Sequence, residues 1–146
     1  MKDKVITLQH SLYDQGLTQG TEGFSDGQKL LYNYFDMLYY VEIGGFTGFL
    51  YNNIDKDDRM PAFVHCLFYF GFLELSQQLD NIYRQAKGQQ WQEAEGWEDY
   101  LTRLHLIDKV DALETHFYKE LAGYPIDNWI EQHYEDLSGG IDMQKQ

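Results

Sequence analysis

Five histidines, one cysteine and a surplus of carboxylates are the side chains of this 146-residue chain that could do chemistry. The histidines are His10, His65, His105, His116 and His133, and none stands in the HExxH pattern that binds zinc. His116 and Glu120 are four residues apart and would share a helix face, but two ligands do not make a metal site. His133 falls on the apolar side of the last helical pattern and reads as a core or rim residue. Cys66 lies in the apolar stretch AFVHCLFYF, without a nucleophile signature, and reads as a buried, inert thiol. A single cysteine forms no internal disulfide, which points to a reducing compartment. The pair Asp57–Asp58 in NIDKDDRM lacks the glycine and closing glutamate of a calcium loop. The expectation is a non-enzymatic protein with no cofactor and no metal.

The glycine-rich stretch EIGGFTGFLYNN, residues 42–53, raises the question of a phosphate-binding loop. Such a loop needs a lysine and Ser/Thr in the P-loop register, or G-x-G-x-x-G after a strand. Neither is present, and no lysine follows until Lys56. The stretch reads as a bend between helices, with Gly44 or Gly45 as a left-handed cap and Gly48 admitting a neighbouring backbone.

The carboxylates are more informative. Twenty-four acids face eleven Lys and Arg, for a net charge of −13. That field repels nucleic acid and anionic membranes and attracts basic proteins. Residues 1–73 hold nine acids and five bases, whereas residues 74–146 hold fifteen and six. Three groups stand out in the second half: Glu93, Glu95, Glu98 and Asp99; Asp108, Asp111 and Glu114; and Asp127, Glu131 and Glu135, four residues apart, with Asp136 beside them. Like charges at i,i+4 cost a few tenths of a kcal/mol each. Such groups are either a solvated face or a surface shaped for a basic partner.

The elements that position these groups are helical. A weaker first helix over 4–15 uses Val5, Leu8 and Leu12, and QGLTQGTEGFSDG reads as a loop. Ser25 and Gln28 have capping-box spacing ahead of a central, buried helix over 26–43. FTGFLYNN follows as a short helix or turn, and Pro61 opens a helix over 60–70. Leu75, Leu79, Ile82, Tyr83 and Ala86 define the next apolar face, then KGQQWQEAEGWED reads as a polar connection. Leu106, Val110, Leu113, Phe117 and Leu121 define another face. Pro125 opens a last helix, which Ser138–Gly139–Gly140 ends. The fold class is all-α: a single compact domain over 1–146 of about six helices, with a Gly-Gly bend after the central helix. Residues 1–24 form the weaker helix and loop, and 138–146 a tail. The opening MKDKVITLQHSLYDQG has no signal-peptide pattern, and the longest apolar run, near 62–73, falls short of the roughly 20 residues of a membrane span. A soluble, cytoplasmic protein is expected.

YYVEIGGFTGFLYNN resembles the signature of a bacterial family of small all-helical acidic domains, mostly of unknown function. That signature is an apolar helix, two glycines and an aromatic, then an aromatic and an asparagine; here these are Gly44, Gly45, Phe46, Phe49 and Asn52. LETHFYKEL, residues 113–121, resembles a second recurring feature, a Phe–Tyr pair on a helix. The similarity covers residues 25–137. The family includes a dimeric DNA-mimic protein that occupies the DNA-binding surface of a transcription factor. The resemblance therefore implies an all-helical fold, permits DNA mimicry toward a basic DNA-binding protein, and suggests a homodimer. The charge agrees in scale: a globule of this size spans about 40 Å, over which duplex DNA carries roughly 23 charges, so this chain has about half that density. Two other readings stay open. One is an immunity or antitoxin-type protein neutralising a basic partner. The other is a small enzyme, which requires a closed pocket where His116 or His133 meets two or more carboxylates.

Overall fold

The computed structural model describes residues 2–54, 56, 58–87 and 96–143. They form eight helices and no strand: α1 (Lys2–Gln19), α2 (Asp26–Asn53), α3 (Met60–Tyr69), α4 (Leu73–Ala86), α5 (Trp97–Arg103), α6 (Ile107–Leu121), α7 (Asp127–Gln132) and α8 (Tyr134–Ser138). The all-α class follows. The chain gathers into two compact units, one of residues 1–38 with 123–146, the other of residues 39–122. The residues of α2 up to Leu38 belong to the first and those from Tyr39 to the second.

In the first unit, α1 is longer than the apolar spacing predicts and takes up the start of the expected loop. Val5, Leu8 and Leu12 are buried, and the same stripe continues to Gly16, also buried. A side chain at Gly16 would collide with the Tyr32 ring and lie 3.3 Å from Phe24. The glycine thus belongs to a helix whose last turn is roofed by aromatics. The capping box at the start of α2 forms as expected. Ser25 N–H donates to Gln28 Oε1 (2.9 Å), and Gln28 N–H donates to Ser25 Oγ (3.2 Å). Gln28 does more than cap: its buried Nε2 donates to the carbonyls of Leu137 (2.9 Å) and Gly139 (2.8 Å). Gln15 donates to Gly140 O and accepts from Asp142 N–H (3.1 Å), so the segment read as a tail is held through residue 142.

The last helix does not open at Pro125. Gly123 and Tyr124 both have positive φ, 78° and 57°, and Asp127 N–H bonds Tyr124 O in a turn, so α7 begins at Asp127. It also breaks at His133, whose backbone lies at φ −109°, ψ 15°. The His133 ring stacks on Trp129 at 4.7 Å, and its Nδ1 bonds Trp129 O at 2.8 Å. This break and α5 account for the two helices beyond the expected six.

The second unit closes on aromatic rings. Phe46 packs against Phe49 (5.8 Å between centroids) and Phe117 (5.3 Å), and Phe49 against Phe63 (5.4 Å). All four are buried. Rings at such separations add to the area they remove from water. The break that lets α2 deliver Phe46 and Phe49 is at Gly45, with φ 71° and ψ 178°. This is the glycine-only extended region rather than the expected left-handed cap. Gly44 has no positive φ, and nothing lies within 4 Å of a Cβ placed at Gly48, so no backbone approaches there. Helix resumes after Gly45 and runs to Asn53. α2 is not buried all round: Tyr39 and Ile43 are exposed.

Pro61 sits in the first turn of α3, as expected. The helix ends in a Schellman arrangement: Gly71 N–H donates to Phe68 O (3.1 Å) and Phe72 N–H to Leu67 O (2.9 Å), with Gly71 at φ 89°. The five apolar residues expected on the inner face of α4 are all buried, and Ser76 Oγ donates to Val64 O (2.8 Å). The stretch read as a polar connection ends in α5, from Trp97. Tyr100 of α5 donates its hydroxyl to Ala86 O at the end of α4 (2.7 Å). Val110, Leu113 and Phe117 of α6 are buried, whereas Leu121 is half-buried.

Candidate acidic interface

Most of the candidate carboxylates first meet a structural explanation. Glu98 and Asp99 lie in the first turn of α5, Asp108 in that of α6, Asp127 in that of α7, and Glu135 and Asp136 in that of α8. A carboxylate there faces the positive end of the helix dipole and stabilises the helix by about 0.3–1 kcal/mol when exposed. Asp99 also pairs with Arg103 one turn on (3.0 Å). Asp111, Glu114 and Glu131 have no such role.

On α6, steps of three residues turn the direction by about 60° each, since a helix advances about 100° per residue. Asp108 and Asp111 are accordingly exposed, and Glu114 is half-buried beside the apolar stripe. Asp127 and Glu131 share α7, and Glu135 follows the break at His133. No ion pair joins Glu98, Asp108, Asp111, Glu114, Glu131 or Glu135 to a cation of the described residues. Glu93 and Glu95 lie outside the described residues. Several bases are spent elsewhere: Arg84 on Asp80, Lys4 over the Tyr134 ring, Arg59 over Phe63 and Lys87 over Tyr83.

The charge divides differently by structure than by sequence. The first unit has ten acids and four bases, the second fourteen and seven, giving −6 and −7. The excess in residues 74–146 is thus shared out, because 123–146 folds with the N-terminal segment.

A cluster that spacing alone half-reveals lies between α4 and α6. His116 Nδ1 meets Gln78 Oε1 at 2.7 Å, and Nε2 faces Glu120 (3.2 Å) and Glu74 (3.5 Å). The four-residue step from His116 to Glu120 is legible in the sequence. Glu74 and Gln78 come from another helix, and only packing brings them in. Glu74, His116 and Glu120 border a groove of about 240 Å³. Glu74 is 82% exposed, so the cluster stands at a solvated rim. Among the described residues no group of three His, Cys, Asp or Glu is arranged to hold a metal ion. His10, His65 and His105 are exposed, and Asp58 is exposed while Asp57 lies outside the described residues. Cys66 is fully buried, and burial pushes its thiol far above the ordinary range, which keeps it un-ionised and unreactive.

The signature residues separate by role. Phe46 and Phe49 build the core, Gly45 makes the bend, and Gly44 is exposed. Asn52 is exposed and bonds Gly48 O (2.8 Å), while its neighbour Asn53, which spacing did not single out, is fully buried and bonds Phe49 O (2.9 Å). Of the Phe117–Tyr118 pair, the first ring is core and the second exposed. No helix among the described residues is long and apolar enough to cross a membrane.

No curated protein and no solved structure matches the chain. A family model does, that of DMP19-like protein, over residues 22–133. The match takes in the capping box, the Gly45 bend, the aromatic core and the α6 acids, and the chain belongs to the DMP19-like protein family.

Proposed function

We propose that this chain is a non-enzymatic interaction protein that mimics DNA and occupies the DNA-binding surface of a basic protein, such as a transcription factor. The observation behind this reading is the set Asp111, Glu114 and Glu131, carboxylates that neither pair with a described cation nor serve a helix terminus. Asp108, Asp111 and Glu114 present negative charge along α6 in the second unit, and Glu131 and Glu135 do so on α7 and α8 in the first, so that each unit by itself offers charge on helices as a duplex offers phosphates. Family membership supports the same reading. The reading includes action in the cytoplasm, as a homodimer, without contact to nucleic acid or membrane.

The test is retention of lysate proteins on the immobilised chain, with elution by salt and by duplex DNA. DNA-binding proteins should be enriched, should leave as salt rises, and should be displaced by duplex. Enrichment that survives high salt and ignores duplex sinks the proposal. An immunity-type role shares the basic partner; a toxin-like neighbouring gene would favour it over mimicry. The enzyme reading draws on one observation, His116 facing two carboxylates. It asks for a closed pocket, and Glu74 stands in solvent, so proton transfer there would compete with water.

A further inference from the structure

Residues 68–73, FYFGFL, are large and apolar apart from one glycine, yet none is buried. Phe68 is 61% exposed, Leu73 51% and Tyr69 49%, and Phe70 and Phe72 are half-buried. Leu67 just before the run and Leu75 two residues after it are wholly buried. A continuous exposed apolar run of this kind marks an interaction site more often than a structural need. The run is also fixed in place. The Schellman bonds of Gly71 and Phe72 lock the turn, and Tyr69 and Phe70 pack edge-on at 5.3 Å.

Beside this turn lies the 240 Å³ groove, walled by Phe72, Leu73 and Leu75 and rimmed by Glu74 and Glu120. The only described cation-forming group that reaches those carboxylates is His116 beneath them. An apolar wall with an acidic, solvent-facing rim complements an apolar side chain carrying a lysine or arginine next to it. At this groove a second copy of this chain is a poorer fit, because Glu74 and Glu120 on its rim call for a base and the chain carries eleven Lys and Arg against twenty-four acids, which leaves a homodimer contact to other surfaces.

We propose that the α3–α4 turn and the adjoining groove form a docking surface for a partner-protein segment in which a large apolar residue neighbours a basic one. This surface shares with the DNA-mimic reading only the sign of the partner's charge. It supplies contact that a duplex lacks, and so a part of the affinity that salt does not remove.

Two synthetic peptides of equal charge test it, one repeating Lys-Leu-Phe-Lys and the other Lys-Ser-Gly-Lys. The first should bind about tenfold or more tightly, since it buries its leucine or phenylalanine. It should shift the amide resonances of residues 68–75 and 116–120. Phe68→Ser and Leu73→Ser, both at exposed positions, should keep the melting temperature and abolish that preference while leaving the weaker peptide's binding unchanged. Equal affinity for the two peptides, or resonance shifts confined to other residues, overturns the proposal. So does a change in sedimentation mass caused by either serine variant, which would assign the surface to a second copy. If duplex DNA fails to displace lysate partners while the peptide preference holds, the mimic reading alone falls; the converse result removes only the docking surface.

Discussion

The turn after α3 and the turn after α5 are closed by the same pair of backbone hydrogen bonds. In the first, Gly71 N–H reaches Phe68 O and Phe72 N–H reaches Leu67 O. In the second, His105 N–H reaches Thr102 O (3.1 Å) and Leu106 N–H reaches Leu101 O (2.9 Å). Both need a positive φ at the pivot, 89° at Gly71 and 56° at His105. Glycine adopts it without penalty, whereas a side chain meets its own backbone. The α5 end keeps histidine because Leu101 and Leu106 on either side are buried, and that burial outweighs the local cost. The same hydrogen-bonded turn can therefore come from local preference or from packing, and only the first leaves a mark in the sequence.

Gly45 takes the comparison furthest, since its ψ of 178° removes even the left-handed basin that histidine uses at 105. Gly45→Val should cost about 1–3 kcal/mol in chemical denaturation, while Gly44→Val should cost distinctly less. Equal losses at the two positions would show that the bend is not where the strain resides. Gly71→Ala comes next, at about 1 kcal/mol, measured as a lower midpoint without a change in the denaturant slope. His105→Gly should act in the opposite sense. Relief of the pivot is offset by the greater freedom of glycine in the unfolded chain, leaving a gain of at most about 1 kcal/mol. A loss would mean that the imidazole holds something the turn needs.

The smallest effect on stability belongs to the acids. Changing Asp111, Glu114 and Glu131 together to Asn and Gln should move stability by less than about 0.5 kcal/mol. The same change should flatten the dependence of partner binding on salt. The set Asp127, Glu131 and Glu135, changed to Gln, should cost stability instead, because two of its members face helix N-termini. An unchanged salt slope in the first variant would remove all three residues from partner binding.

Much of the helical order was legible because apolar residues recur at three and four along α3, α4 and α6. The capping box was equally plain, since Ser25 and Gln28 satisfy one another locally. What could not be read came from distant partners. Gly16 argues for a loop until Tyr32 and Phe24 cover it. Trp97 opens α5 at the end of a polar stretch, and Tyr100 fixes that helix through the carbonyl of Ala86, fourteen residues earlier. The site divides in the same way. Acid spacing along α6 could be read off the chain, but whether an acid serves a dipole depends on where its helix begins. That start moved by two residues at α7 because Tyr124 takes a positive φ.

Gly45 also has a consequence in terms of handedness. Reflected, its backbone angles become the extended conformation that ordinary residues occupy freely. The bend is thus a place where the chain follows the mirror image of common backbone geometry for a single residue. A chemically synthesised chain with D-alanine at position 45 should hold this backbone more readily than the natural one, for it would exclude unfolded conformations that glycine keeps open. L-alanine, with the same atoms, should be strained there. The difference between those two enantiomers would measure how strongly the DMP19-like bend depends on chirality.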